Sequence, residues 1–370
     1  MEIAGYPLRR LRARVLEGID PPLFALALAL SLVGLAVLYS ASYENASRVA
    51  SQLASLAVAL AAMWAVAQVP PQTLARLALP AYCAGIALLV AVALGGEVVN
   101  GARRWLNLGV MRFQPSEMMK IAMPMMLAWY FHRNESAIRL RDFAVAGVLL
   151  ALPVALIARQ PDLGTALLVA AAGFYVIFLA GVSWRLLAGL AVLALAGLFP
   201  LWGLLHDYQR RRILTLLDPS QDPLGAGYHT IQSTIAVGSG GIAGKGWLNG
   251  SQTHLEFIPE RHTDFIFAVF AEEFGLVGNV ALLALYTLLI VRGLSIAAGA
   301  ATLFARLLAG AVTLIFFTYA FVNMGMVAGI LPVVGVPLPF ISYGGTSLAT
   351  LFIGVGILMS IHRHRKLVQT

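Results

Sequence analysis

A chain of 370 residues that is 60% hydrophobic and only 11% charged, with a mean hydropathy of +0.84, has more apolar surface than a soluble interior can hold, which excludes an ordinary globular domain. The net charge of +8 does not mark a nucleic-acid binder: the first basic run, Arg9 to Arg14, abuts an apolar stretch and the last, His362 to Lys366, follows one, as at the inner ends of membrane spans. The single cysteine, Cys83, excludes a disulfide framework and a thiolate metal site.

Apolar stretches near the roughly 20 residues a helix needs to cross a bilayer predict spans over 22–40, 50–69, 76–95, 116–132, 142–158, 164–181, 186–205, 265–291, 303–326 and 346–362. Lipid offers no partners to an open backbone, so the spans are helices and the fold class is all-α, a polytopic bundle of about ten transmembrane helices. The run from Leu23 to Tyr39 follows a basic start as a signal peptide would, but no cleavage site of the A-x-A kind comes after it, and it reads as the first span. The whole of 1–370 is read as one membrane domain, with a large loop, 206–264, between spans 7 and 8. An even span number puts both termini on one side, and the Lys/Arg bias makes that side cytoplasmic. The cations left outside are Arg48, Arg103, Arg104, Arg112, Lys120, Arg159, Arg210, Arg211, Arg212, Lys245 and Arg261, more than the topology rule favours.

The first outer segment of interest, "GGEVVNGARRWLNLGVMRFQPSEMMKIAMP", reads as a structured interfacial loop ending where Ser116 caps a helix. In that helix Glu117 and Lys120 are spaced i, i+3 and share a face, either as a mutually neutralising pair or as the wall of a wet cavity. Next, "ARQPDLGTA" sets Arg159 beside Asp162, which predicts a local ion pair. The long loop opens with "HDYQRRRILTLLDPSQDP", patterned like a helix lying at headgroup level. Its glycines around Lys245 fail the phosphate-loop spacing, and His254 and His262 fail the helical zinc spacing. It ends in "FIPERHTDFIFAVFAEEFG", which gathers Glu260, Arg261, His262 and Asp264 at the mouth of span 8, with Glu272 and Glu273 two turns further in. Last, "GILPVVGVPLPFISYGGTS" suits irregular backbone held at membrane depth against protein or a water-filled cavity, with Ser342 offering a hydroxyl.

Four of these segments, "RRWLNLG" with "FQPSEMMK", "RQPDLGTA", "GYHTIQSTIAVGSGGIAGKGWLNGSQTHLEFIPERHTDFIFAVFAEEFG" and "LPVVGVPLPFISYGGTS", resemble in content and order the SEDS family (shape, elongation, division and sporulation) over nearly the whole chain. The short termini and "LEFIPERHTDFIFAV" look more like its rod-shape branch, RodA, than its division branch, FtsW. The resemblance implies a peptidoglycan glycosyltransferase that polymerises lipid II into glycan strands at the outer face of the bacterial cytoplasmic (inner) membrane during rod-shape elongation. It also implies a class B penicillin-binding protein transpeptidase as partner and a place in the rod-elongation machinery.

That reaction needs a base for the attacking sugar hydroxyl. The family's catalytic acid matches Asp264, for which a helix cap is the plainer reading. A departing lipid pyrophosphate calls for cations, and Arg104, Arg112, Lys120, Arg159, Lys245 and Arg261 are the candidates. Glu117 orients Lys120 or, with Asp264, makes part of a site for a divalent cation, Mg or Mn, though two carboxylates are an incomplete set. Glu260 and Ser342 complete the expected substrate contacts, while Glu272 and Glu273 fall to a structural or relay role in the cavity wall. The rival reading is a lipid II flippase. A flippase would spread charge through the bundle, whereas spans 1, 2, 9 and 10 are almost uncharged; a mere scaffold leaves Glu117, Lys120 and Asp264 unexplained.

Overall fold

The computed structural model describes residues 18–42, 45–99, 102–107, 112–160, 162–204, 210, 214–215, 218, 226–254 and 260–365. Its long helices are α1 (Pro21–Ala41), α2 (Ala46–Ala67), α3 (Pro71–Gly95), α4 (Pro115–Arg133), α5 (Leu140–Ala158), α6 (Leu163–Leu179), α7 (Trp184–Leu204), α8 (Ala226–Ser239), α9 (Ile266–Ala298), α10 (Leu303–Val327) and α11 (Gly345–Arg363). All but α8 coincide with a predicted span, with ends displaced by a few residues, and the chain is a multi-pass membrane protein. Seven of them are long and apolar enough to cross a membrane on composition alone. The helix starts are chemically marked: Asp20, Asn45, Asp162 and Thr302 each accept a hydrogen bond from a first-turn N–H. At α4 the cap is Gln114, with Pro115 at the first helical position, so Ser116 lies inside the first turn rather than capping it.

The most buried span, α10, is the axis of the bundle and packs against α4, α6, α9 and α11, while α1 lies on α9 and α2 on α11. The start of α1 and the end of α11 share one face, where buried Asp20 pairs with Arg292 of α9 and lies 3.3 Å from His362. Burial raises the Asp20 carboxyl, but hydrogen bonds from Arg292 and the Leu23 N–H outweigh that and hold it below its ordinary value. On the opposite face the loop before α4 forms a small antiparallel sheet, β1 (Glu97–Val99), β2 (Ala102–Asn107) and β3 (Arg112–Phe113), in the order β1-β2-β3. The headgroup-level helix expected at the start of the long loop lies mostly outside the described residues. Further along, α8 packs on α9 and α10.

Although α9 reads as one apolar run, it is broken at Gly275, whose φ of 62° and ψ of −159° leave the helix. A break at this depth exposes carbonyls and N–H groups that lipid cannot satisfy. The glycine-rich segment after α8 satisfies them: the N–H groups of Lys245 and Gly246 donate to the carbonyls of Glu272 and Glu273, and those of Leu276 and Val277 donate to Gly241 and Ile242. The approach is close enough to require glycine, since a Cβ on Gly244 would stand 2.1 Å from the Glu273 oxygen and one on Gly275 would stand 2.3 Å from the Gly244 nitrogen. Gly275→Ala is therefore expected to destabilise the fold by roughly 2 to 5 kcal/mol, backbone strain and overpacking acting together. Loss of monodisperse protein after detergent extraction, compared with Gly147→Ala, where a Cβ meets nothing within 4 Å, checks it.

Candidate active site

Asp264 lies in a tight turn, Glu260 to Phe265, that closes on the Glu260 carbonyl with Glu260 itself at a φ of 49°. Three groups from distant elements grip successive carbonyls of this turn. Tyr343 N–H donates to His262 (2.9 Å), Ser342 Oγ to Thr263 (2.7 Å), and Asn323 Nδ2 to Asp264 (2.7 Å) and to Val336 (2.7 Å). Asn323 is fully buried in α10, and Ser342 Oγ also accepts from the Leu338 N–H, so the re-entrant loop between α10 and α11 and the turn before α9 are bonded into one unit. All three grips act on backbone, so they set where the Asp264 side chain begins without using its carboxylate. The cap residue of α9 is Phe265 rather than Asp264, and Phe265 makes no side-chain cap hydrogen bond. The half-buried Asp264 carboxylate lies beside Gly335, whose φ is 74°; a Cβ there would come within 3.4 Å of Oδ2.

A second cluster sits on the same side of the bundle. Glu117 and Lys120, both buried, form a 2.6 Å ion pair in α4, and Lys120 Nζ lies 5.1 Å from the ring centre of Tyr319. Tyr319 and Asn323 are one turn apart on α10, so a single helix face joins this pair to the Asp264 turn. Glu117 and Gln114 line a mainly apolar groove of about 440 Å³ between α4 and α11. Gln114 also donates to Asp162 (3.1 Å), which caps α6 and lies 3.9 Å from Arg104. The α6 start packs directly on the loop that carries Gly335, since a Cβ on Gly164 would meet the Val334 oxygen at 2.6 Å. Arg104, Asp162, the groove and Asp264 thus ring one corner of the molecule.

The other candidates fall in different places. Arg159 ends α5 exposed, and the ion pair expected with Asp162 does not form, because Asp162 turns to Gln114 and Arg104 and caps α6. Lys245 Nζ is bound to buried Glu272 at 2.7 Å and to Ser251 at 2.7 Å. Arg261 Nε reaches back to the Ala41 carbonyl at 2.7 Å, and the exposed Glu260 accepts from Thr263. Ser342 is buried and its hydroxyl is occupied in holding the turn. The Arg112 backbone is in β3, while its side chain, like the side chain of His254, lies outside the described residues. Asn323, Gln114, Asp162 and Tyr319 were not singled out as site residues; a lone Asn within an apolar span is the signal that would have found the first. Among the described residues no group of three or more His, Cys, Asp or Glu side chains gathers to hold a metal, and the Glu117 carboxylate is engaged by Lys120.

Beside the turn, both ring nitrogens of His262 lie 3.4 Å from Arg48, and burial first, then Arg48 and Arg261, hold this histidine below its ordinary value against the opposing pull of Glu260. Between that lowered value and the ordinary value of about 6.5, the unfolded chain binds a proton that the folded chain does not. Stability therefore rises with pH through this window and is lost as pH falls through it. His229, lowered by burial, acts with the same sign. Thermal unfolding midpoints are expected to fall from about pH 7 to about pH 5.5, and His262→Gln is expected to flatten that slope.

Comparison with known proteins places these features in a family. A model of the FtsW/RodA/SpoVE cell cycle proteins matches residues 22–367. The peptidoglycan glycosyltransferase MrdB of Escherichia coli K12 is 54% identical over 352 residues, covering 95% of each chain. Among solved structures, a chain from a study of how a peptidoglycan synthase complex coordinates polymerization and crosslinking superposes with a TM-score of 0.82 at 35% identity, over 94% of this chain and 98% of that one. The rod shape determining protein RodA of Thermus thermophilus superposes at 0.72 with 32% identity, over 94% and 97%.

Proposed function

The chain belongs to the FtsW/RodA/SpoVE family, and from that membership we propose that it is a peptidoglycan glycosyltransferase of the rod-elongation branch, polymerising lipid II at the outer face of the cytoplasmic membrane. In this reading the face that carries the start of α1 and the end of α11 is cytoplasmic and the Asp264 corner faces outward. The observation that carries the chemistry is the triply gripped turn: Asn323, Ser342 and Tyr343 hold in place the backbone from which the Asp264 carboxylate projects at the mouth of α9.

A sugar hydroxyl is a poor nucleophile, and Asp264 takes its proton as the oxygen attacks the anomeric carbon of the second sugar. The bond from that carbon to the lipid pyrophosphate breaks, and the developing negative charge falls to Arg104 and the Lys120 corner, with Arg112, Arg159 and Arg261 as further cations on this face. Glu117 holds the Lys120 ammonium in one place. The apolar groove between α4 and α11, with Glu117 and Gln114 along it, suits the isoprenoid chain, since its lining is otherwise Ala, Met, Ile, Phe and Thr. The chain's own residues supply positioning and electrostatic stabilisation.

The partner is a class B penicillin-binding protein transpeptidase, a reading supported by the likeness to a chain of a complex that couples polymerization to crosslinking. Expression in a rod-shaped bacterium depleted of its own RodA tests the assignment: rods are expected to return, and persistent rounding with the chain present in the membrane would count against it.

A further inference from the structure

Resting on the reading of Asp264 as the base, we propose that Lys245 and Glu272 are positioning residues for glycosyl transfer: their ion pair seats the loop from Gly240 to Gln252 in the break of α9 and so fixes the half-helix that carries Asp264.

The half-helix from Ile266 to Phe274 is a rod of roughly 13 Å with the Asp264 turn at one end and the Gly275 break at the other. Its Asp264 end is gripped by Asn323, Ser342 and Tyr343. Its far end is held by the inserted loop, and one oxygen of Glu272 closes that loop upon itself, accepting from Lys245 Nζ (2.7 Å), Ser251 Oγ (3.2 Å) and the Gln252 N–H (2.9 Å). Donors from both ends of an eight-residue segment thus converge on a carboxylate that is 0% exposed. A carboxylate buried this deeply costs several kcal/mol if its partner leaves. Lifting the loop out of the break therefore strips these three donors from a buried charge, which couples the seat to the pair. The loop is also tied to α1, since the Trp247 indole N–H donates to the Ala36 carbonyl at 3.1 Å and the Trp247 ring lies 6.1 Å from that of Tyr39, while Ser40 of α1 donates to Glu273 in the half-helix itself. Without the seat, the half-helix keeps its Asp264 grips and the Ser40 contact but loses the loop's hold on its last carbonyls, and its tilt is less tightly fixed. A displacement of about 1 Å at a reacting group is enough to cost up to about a hundredfold in rate.

The test pairs turnover with a probe of the seat. Purified full-length chain with its transpeptidase partner is assayed on labelled lipid II, and the same chain, labelled with 5-fluorotryptophan, is observed by fluorine NMR, with the six tryptophans assigned by substitution. Lys245→Met is expected to lower kcat by roughly 10- to 100-fold, to leave KM within about threefold and to move the Trp247 resonance toward that of an indole released from Ala36 and Tyr39, whereas Lys245→Arg restores most of both. A loss of kcat with Trp247 unmoved overturns the proposal, because Lys245 would then act on substrate directly. A displaced Trp247 with unchanged kcat also overturns it, as does no change in either. Should Lys245→Met fail to accumulate, Ser251→Ala removes one donor and leaves both charges in place; a partial shift of Trp247 with about a threefold fall in kcat is expected, and no change in either reading counts against the seat. Asp264→Asn separates the two readings: it is expected to abolish turnover with Trp247 in place. Full turnover in that variant sinks the base assignment, while the Lys245→Met result still decides the seat.

Discussion

Asp264→Asn is expected to slow glycan-strand synthesis by about 10² to 10⁴-fold while leaving extraction, unfolding midpoint and partner binding close to those of the wild type. The amide has nearly the shape of the carboxylate but cannot accept the proton of the attacking hydroxyl. The three grips on the turn survive the loss of the charge, because Asn323, Ser342 and Tyr343 hold backbone carbonyls and the cap residue of α9 is Phe265. A change that removed a cap would instead cost stability, typically about 1 kcal/mol. The ratio of lost rate to lost stability therefore separates the two roles. Asn323→Ala is the complementary change: it frees the carbonyls of Asp264 and Val336 together and is expected to lower both rate and stability.

Removal of Lys120 alone is expected to cost roughly 3 to 5 kcal/mol, because Lys120→Met leaves the Glu117 carboxylate buried beside Tyr319 with its cation gone. The double variant Glu117→Gln with Lys120→Met carries no stranded charge and is expected to recover most of that stability. It is not expected to recover activity: loss of one preorganised cation near the leaving group costs about a hundredfold or more. Accumulation and unfolding midpoint, set against polymerisation rate for both variants, check this. Wild-type turnover in the double variant would make the pair structural only.

The spans were legible because each is a long apolar run, and the local signals for helix starts were nearly right; Gln114 displaced Ser116 as a cap because Pro115 already supplies the first helical residue. The i, i+3 spacing of Glu117 and Lys120 also carried through to a real ion pair, since it depends only on helix geometry. What the sequence hid depends on contacts between distant segments. "AEEFGLVG" reads as uninterrupted helix, and the reason it breaks lies some thirty residues upstream, in glycines whose own spacing matches no phosphate loop. Asp162 looked paired with its neighbour Arg159 but turns to Gln114 and Arg104, which are far away in the chain. The expected substrate contacts Lys245 and Ser342 look from the sequence like free outer-face donors; packing puts one on Glu272 and the other on the Asp264 turn. Asp264 was visible as a charge at a span mouth, but the grips that make its position definite come from α10 and the loop after it.

The most direct test of the account is a single reconstitution that reads polymer and transport together. Purified chain with its transpeptidase partner is placed in liposomes whose lipid II is fluorescently labelled, the products are resolved by gel, and transbilayer movement is followed by quencher access. Glycan strands in the wild type, their loss in Asp264→Asn, and no transbilayer movement of lipid II in either are the predicted results. Movement of lipid II across the bilayer without strand formation would contradict the account and make the chain a transporter.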